Sequence, residues 1–352
     1  MLRILVIFFC LYFSFNFSFA QEPESPGIEE IIVNADYRLS DLNDIPSSVI
    51  VLDENLIQNR NAQHLEEILL NAPNVNFSSG SSRARFFQIR GIGERGQFSE
   101  PLNSSVGVII DGIDFSGIGN ASMLYDIDQV EVFLGPQGTR YGSNALAGLI
   151  NLQSKAPTKD LSYGLKLESG DYNSNGLGGY LSGPLSERFS YRISAQQIKS
   201  DGFNMNRFLN DETNTRNERV VRGKINGELL DDVELDLTAS TIKLNNGYDA
   251  FSLNNDRDTL SDQPGSDIQD SELLSAKISV SRFKHFTFDT LLGYGDSHAE
   301  YSYDEDWVYD GFHPWGYSST DQYNRDRSTG STEFRFTSSE EGRILFDTTD
   351  WV

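Results

Sequence analysis

Val233–Lys243 reads VELDLTASTIK. Val233, Leu235, Leu237 and Ala239 fall on one side of an extended chain, and Glu234, Asp236, Thr238 and Ser240 on the other, because successive strand side chains point to opposite faces. An apolar face opposed to a polar one over about ten residues fits a strand with lipid on one side and water on the other. The pattern recurs at 162–170 (SYGLKLESG), 189–200 (FSYRISAQQIKS), 219–229 (RVVRGKINGEL), 271–281 and 286–296. Short connections (Gly183–Arg188, Leu230–Asp232, Phe283–His285) alternate with long polar ones (Asp201–Glu218, Asn245–Asp270, Tyr301–Arg325). Tight turns at one rim and long loops at the other mark an antiparallel transmembrane barrel. A soluble β-sandwich would account for any single segment, but not for the regular alternation of connections.

The N-terminus agrees. Residues 1–20, MLRILVIFFCLYFSFNFSFA, place Arg3 at the head of an apolar run and end on Ser18-Phe19-Ala20, which fits a secretory signal peptide with a small-x-small cleavage site. An uncleaved anchor is the alternative, but Ser14, Asn16 and Ser18 interrupt the run early. Cys10, the only cysteine, falls inside this segment, so the expected mature chain has neither disulfides nor thiolate chemistry. No later run of apolar residues is long enough for a membrane-spanning helix. The chain carries 28 basic and 52 acidic residues, a net charge of −24. That balance argues against nucleic acid, which requires a cationic face. With 23 Phe and 15 Tyr among 352 residues, the chain is not an acidic disordered tail either.

Between a short Pro/Glu/Ser linker and the first barrel-like segment, the pattern is compact α+β. Ser47–Leu52 alternates like a strand, and Asp53 is placed to cap a short helix running to Asn59. In Ala62–Asn71, Leu65, Ile68 and Leu69 share a helical face, and Pro73 ends it. Short strands are expected at Val75–Ser79, Phe86–Arg90, Val106–Ile110, Val130–Leu134 and Gly148–Leu152, separated by Gly-rich turns. Gly91-Ile92-Gly93-Glu94-Arg95-Gly96 matches a dinucleotide fingerprint on paper, but no helical period follows, so its glycines read as a turn into a loop. The histidines His64, His285, His298 and His313 show no ligand spacing, and His64 reads as a solvated helix residue. Asn254, Asp256, Asp258 and Asp262 lack the glycine and the bidentate glutamate of a calcium loop. No metal site, cofactor or catalytic group is expected.

The chain resembles the N-terminal half of a TonB-dependent outer-membrane receptor. EEIIVNA (Glu29–Ala35) is similar to the TonB box. IPSSVIVLDENLI (Ile45–Ile57), LEEILLNAPNV (Leu65–Val75), FQIRGIG (Phe87–Gly93), VIIDGI (Val108–Ile113) and IDQVEVFLGPQGTRYGSNALAGLINLQSKAP (Ile127–Pro157) resemble its plug domain in order and spacing. YGLKLESGDYNSNGLGGYLSGPL (Tyr163–Leu185) resembles the first barrel hairpin. The resemblance implies a signal peptide (1–20), a linker with the TonB box (21–44), an α+β plug (45–158) and a partial antiparallel transmembrane β-barrel (159–352).

It also implies a function. The protein would sit in the outer membrane of a Gram-negative bacterium. It would bind a scarce nutrient complex, a ferric siderophore first, with cobalamin or an oligosaccharide as alternatives. A TonB-type periplasmic energiser would pull Glu29, Glu30, Ile31, Ile32, Val33, Asn34 and Ala35, and the plug would release; no covalent chemistry is involved. A different class, an exported soluble all-β binding protein, would lack these segments. The β-branched Ile31, Ile32 and Val33 suit strand addition to a partner's sheet edge. Asn34 stands where the family more often has Thr or Ser. Ligand contacts are expected on the apical plug loops, from Arg95, Gln97, Phe98, Phe115 and Ser116. The aromatic stretch Tyr301–Trp315 is either a further contact or an interfacial girdle. In the family, Arg90 of the IRG stretch and an arginine at the position of Leu134 lock the plug to barrel glutamates; Leu134 cannot do so. Finally, a barrel of about 22 strands is needed to hold a plug, whereas about nine strands are expected here, the last from Ile344. The chain therefore reads as a partial sequence.

Overall fold

The computed structural model describes residues 32–33, 40–41, 47–96, 103–118, 122–141 and 144–338. The segment 1–20 and the expected ninth strand from Ile344 lie outside them.

The plug is built on a five-stranded sheet. Strands β1 (Ile32–Val33) and β2 (Ser40–Asp41) form a separate antiparallel pair. The main sheet uses β3 (Val49–Asp53), β6 (Val106–Ile110), β7 (Ile113–Asp114), β8 (Ile127–Leu134) and β9 (Gly148–Ser154), in the order β3-β8-β9-β6-β7. Hairpin β4 (Val75–Ser78)–β5 (Phe86–Ile89) lies beside it. Alternation along the strands sorts the core into two sides. Leu52, Val108, Ile110, Val130, Val132, Ile150 and Leu152 belong to the large cluster, with Leu65, Ile68, Phe87 and Ile89. Ile109, Phe133 and Leu149 belong to a smaller one, and Val33 joins them, fully buried.

Local signals decide the plug's shorter elements. The helix Glu54–Asn59 starts where the Asp53 carboxylate accepts from the Leu56 N–H at 2.9 Å, which satisfies a donor that the first helical turn leaves unpaired. The second helix is shorter than its periodicity suggested. Only Glu66–Leu69 is helical, because the Leu65 N–H bonds the Ser122 carbonyl and Leu124 N–H the Gln63 carbonyl. Leu65, Ile68 and Leu69 are nonetheless fully buried. The glycine-rich stretch after Ile89 is a turn. Gly93 has φ +146°, and a Cβ there would stand 2.2 Å from the Phe87 carbonyl oxygen, so only glycine fits.

The rest is a wall of eight antiparallel strands: β10 (Ser162–Gly170), β11 (Ser174–Pro184), β12 (Phe189–Ser200), β15 (Arg216–Leu230), β16 (Val233–Tyr248), β18 (Gly265–Val280), β19 (Phe286–Asp304) and β20 (Thr320–Ser338). β10 and β20 each pair on one side only, so the described wall is an incomplete barrel. Register carries the alternation across it. One row of partners runs Leu181, Ile193, Gly223, Ala239, Leu274, Tyr294 on the outer face. The row next to it runs Arg192, Lys224, Thr238, Ser275, Gly293, Ser331 and faces the plug side. At the rim of short turns, Phe283, Phe286, Phe288, Phe334 and Phe336 stack into an aromatic belt of the kind found at membrane interfaces.

Strands β15, β16, β18, β19 and β20 run 15 to 19 residues, well beyond the expected ten. Above Tyr294 the outer face of β19 becomes Asp296, His298 and Glu300, and the ladder continues past the apolar band. The end of apolar alternation is therefore the edge of the lipid band and not the end of the strand. The long connections shrink accordingly to 201–215, 249–264 and 305–319. They also fold: β13 (Asn204–Asn206), β14 (Asp211–Thr213) and β17 (Asp258–Thr259) make a small sheet joining two of the loops. Asp249 lies at its centre, accepting from Asn206 at 3.0 Å and from Thr259 at 2.5 Å. Phe208 stacks on Tyr309 of the third loop at 4.7 Å.

The outer face gives a direct test. Leu292 is exposed at mid-height of the apolar band, where arginine costs about 2–4 kcal/mol in lipid. Leu292→Arg in the full-length protein is expected to lower the fraction that migrates as the compact heat-modifiable form; unchanged migration would contradict a lipid-facing position.

Candidate functional site

Two regions bring chemistry together: the surface under the long loops, and the seam between plug and wall. Above the plug, the inner face of the wall is aromatic. Tyr301 packs against Tyr248 (5.1 Å) and Tyr323 (6.1 Å), and Phe251 stacks on Trp307 (5.0 Å). Arg85 of the plug lies over the Tyr301 ring at 5.9 Å. The expected aromatic loop is thus partly strand: Tyr301 and Tyr303 belong to β19, and Trp307 follows in the loop.

The expected ligand residues separate. Arg95 is exposed on the turn after β5; Gln97 and Phe98 lie outside the described residues. Phe115 and Ser116 are not on an open loop as expected. Both are 1% exposed. Phe115 packs in the main core, and the Ser116 hydroxyl accepts from the Val108 N–H at 3.0 Å. The turn after Asp111-Gly112 folds back on β6, which buries them. Glu94 anchors the loop base, accepting from the Ser105 N–H and hydroxyl at 3.0 and 2.7 Å.

The seam is polar, and charged residues hold it at two heights. At the lower one, Asp126 accepts from Arg192 at 2.8 Å. Asp111 accepts from the Ser154 N–H and hydroxyl at 2.9 and 2.7 Å. It also lies 3.3 Å from Arg222 and 3.5 Å from Lys224. Burial alone would raise the Asp111 pKa, but the two cations and the Ser154 hydrogen bonds outweigh it and hold the carboxyl below its usual range. At the upper height, Glu218 of β15 receives Arg83 through two bonds of 2.7 and 2.6 Å, His64 at 3.0 Å and Asn246 at 2.8 Å. Asp267 of β18 accepts from the Ser82 N–H and hydroxyl at 2.8 and 2.6 Å. Opposite these, Arg327 reaches Asp114 at 3.1 Å and Arg325 the Gly117 carbonyl at 3.2 Å. Val220, Ile242, Leu244 and Leu273 add apolar contact from the wall.

These placements correct one expectation. His64 is not a solvated helix residue: it is fully buried and bonded to Glu218. Arg90, whose barrel partners the resemblance puts beyond residue 352, is exposed, with φ +54°; the described ion pairs between plug and wall involve Arg83, Arg85, Asp111, Asp114 and Asp126. Leu134 packs half-buried against the core. Strand parity places Glu218, Arg222 and Lys224 on the polar face, but nothing local in the sequence names their plug partners, more than sixty residues away.

The segment expected as the TonB box falls mostly outside the described residues. Of Glu29–Ala35, Ile32 and Val33 are described. They pair with Ser40–Asp41, and Val33 lies in the small cluster with Phe133.

Comparison with known proteins agrees with this arrangement. Residues 41–149 match the family described as the TonB-dependent Receptor Plug Domain. The chain is 26% identical over 242 residues to the ferric enterobactin receptor PirA of Pseudomonas aeruginosa, covering 61% of this chain and 33% of that one. It is 31% identical over 141 residues to the catecholate siderophore receptor Fiu of Escherichia coli K12, covering 40% and 18%. It therefore spans about a third of the length of the former. Among solved structures, the siderophore receptor PiuA of Acinetobacter baumannii superposes with a TM-score of 0.68 at 17% identity, covering 85% of this chain and 43% of that one. The open form of Fiu gives 0.65 at 18%, covering 85% and 47%. At such identity these two speak to the fold.

Proposed function

We infer that this chain, which is the plug domain and the first part of the barrel of a TonB-dependent outer-membrane receptor, serves energised uptake of a ferric siderophore. The family consists of transporters and not of enzymes. The observation that carries the reading is the plug itself: a folded domain held inside a transmembrane wall by a polar seam, with an N-terminal strand attached. Iron(III) in its chelate is cargo here. The relatives named for ferric enterobactin and catecholate siderophores favour that class over cobalamin or an oligosaccharide.

Cargo would enter beneath the long loops and meet the exposed turn carrying Arg95, with Gln97 and Phe98 after it, and the aromatic wall around Tyr301. A TonB-type partner would take Glu29–Ala35 by strand addition, since backbone pairing supplies affinity and β-branched side chains suit the extended form. Val33 would have to leave the Phe133 cluster, so the pull is applied at the plug sheet. In the full-length receptor, deleting Glu29–Ala35 is expected to abolish energised uptake of radiolabelled ferric catecholate while surface binding persists. Unchanged uptake would refute the energiser's role, and absence of binding the cargo class.

A further inference from the structure

We propose that a shared proton firms the entrance beneath the long loops: Asp304 and Asp306, at the root of the third loop, form an acid–carboxylate pair that holds this loop in acidic surroundings and loosens it as they turn neutral. Its bearing on uptake rests on the cargo reading above; the pair itself does not. Asp304 ends β19, above the apolar band, and Asp306 lies just inside the connection 305–319. They are 6% and 9% exposed. Both Asp306 oxygens are already in use: Oδ1 accepts from the Val308 N–H at 3.2 Å and Oδ2 from the Ser319 N–H at 3.1 Å. The Asp304 Oδ2 atom is buried and meets no donor among the described residues. Two ionised carboxylates can only accept, so neither satisfies the other. A proton on Asp304 supplies the missing donor.

The charged groups of the packed elements have other partners. In the third loop, Glu305 accepts from the Tyr317 hydroxyl at 2.7 Å, and at the start of β20 Asp321 accepts from the Tyr303 hydroxyl at 2.7 Å. In the second loop (249–264), Asp262 accepts from the Asp310 N–H at 2.8 Å, and Asp249 holds Asn206 and Thr259. Arg207 of the first loop is paired with Asp258 at 2.8 Å, and His313 stacks on Trp315 at 5.1 Å. Burial raises the Asp304 pKa, and the Asp306 carboxyl adds to this against the Ser261 hydrogen bond, so that Asp304 stands at about 6. In an opened loop it would return to the ordinary value near ~3.9. The closed form has the higher value, so its support is fully present below pH ~4 and is lost as pH rises through about 6. The pair stands where the third loop is fastened to its neighbours, since Trp307 stacks on Phe251 and Tyr309 on Phe208. Trp307, next to Asp306, is held at φ +66°, a left-handed conformation that a bulky residue keeps only where its surroundings impose it. Loosening Asp306 lets that backbone relax and carries both stacks with it.

The test follows hydrogen exchange of the Val308 and Ser319 amides, the two donors to Asp306, in the full-length receptor in detergent. After division by the intrinsic rate at each pH, opening in the native protein is expected to rise about tenfold between pH ~5 and pH ~7.5, the change that a shift from about 3.9 to about 6 produces. In Asp304→Asn, whose amide donates at any pH, both amides should stay protected throughout. His313→Gln should keep the native dependence. Equal opening at both pH values in the native protein would overturn the pair, as would a dependence that persists in Asp304→Asn or vanishes in His313→Gln. Protection restored at neutral pH by millimolar calcium would overturn it too, because the carboxylates would then take a cation in place of the proton. At neutral pH, Asp304→Asn should bind ferric catecholate about threefold more tightly than the native protein, since more of it is already closed. Equal affinity would overturn the role at the entrance. If neither protein binds ferric catecholate, the cargo reading fails, and the exchange result still decides the pair.

Discussion

Asp111→Asn is expected to destabilise the seated plug by about 3–5 kcal/mol, the usual consequence of removing one member of a buried ion pair. Asp111 is the lower counterpart of Glu218. Arg222, 2% exposed at its side chain, and Lys224 converge on it from β15, and an amide in its place leaves both cations facing a neutral group. The Ser154 bonds survive in part, since the amide oxygen still accepts, so the loss is electrostatic. Calorimetry of the full-length protein in detergent should show the plug transition moving down while the barrel transition stays. A coincident, unshifted transition would show that the cations find water or another carboxylate. The pH dependence follows in sign. The folded-state pKa of Asp111 is depressed, so its contribution is fully present above the ordinary carboxylate range near pH ~3.9 and is lost as pH falls through the depressed value. In the Asn variant that acid-side loss should be absent.

Phe133→Ala is the second large expectation, about 3–5 kcal/mol for truncating a fully buried aromatic. Phe133 is 0% exposed in β8 and packs with Ile109, Leu149 and Val33. The consequence is both energetic and functional. The cavity opens beside the strand that the energiser would capture, so Val33 loses part of its seat and β1 should detach more readily from the plug. Hydrogen exchange of the Val33 amide in the full-length receptor should speed up in the variant. Protection equal to the native protein would show that pairing with Ser40 alone holds β1 in place.

Much of this architecture is legible in residues that repeat. Leu235, Leu237 and Ala239 announce an outward face because period two is imposed by the backbone, and the register then carries that face from β10 to β20. Asp53 announces a helix start because few side chains satisfy the first-turn donors. The seam was not legible. Glu218 and Arg83 are 135 residues apart, and each taken alone looks like a solvated charge; only the closed geometry removes water from both. His64 misled for the same reason: it lies beside a short helix, but the wall covers it. The buried Phe115 and Ser116 show the complementary limit. A Gly-rich turn signals a reversal of the chain, while the side to which the following residues fold is decided by β6, which offers the Val108 N–H to Ser116.

The loops beneath which cargo would enter are already joined to one another. Asp249 gathers Asn206 and Thr259, β13 pairs with β17, and Phe208 leans on Tyr309. Three independent loops would lose conformational freedom whenever they closed on a ligand, and binding would weaken accordingly. Loops that are tied together beforehand lose little. In the full-length receptor their share of the entrance would then act as a preset outline that screens ligands by shape, so that changes in specificity should arise through substitutions that reshape the rim more than through changes in how far the loops can travel.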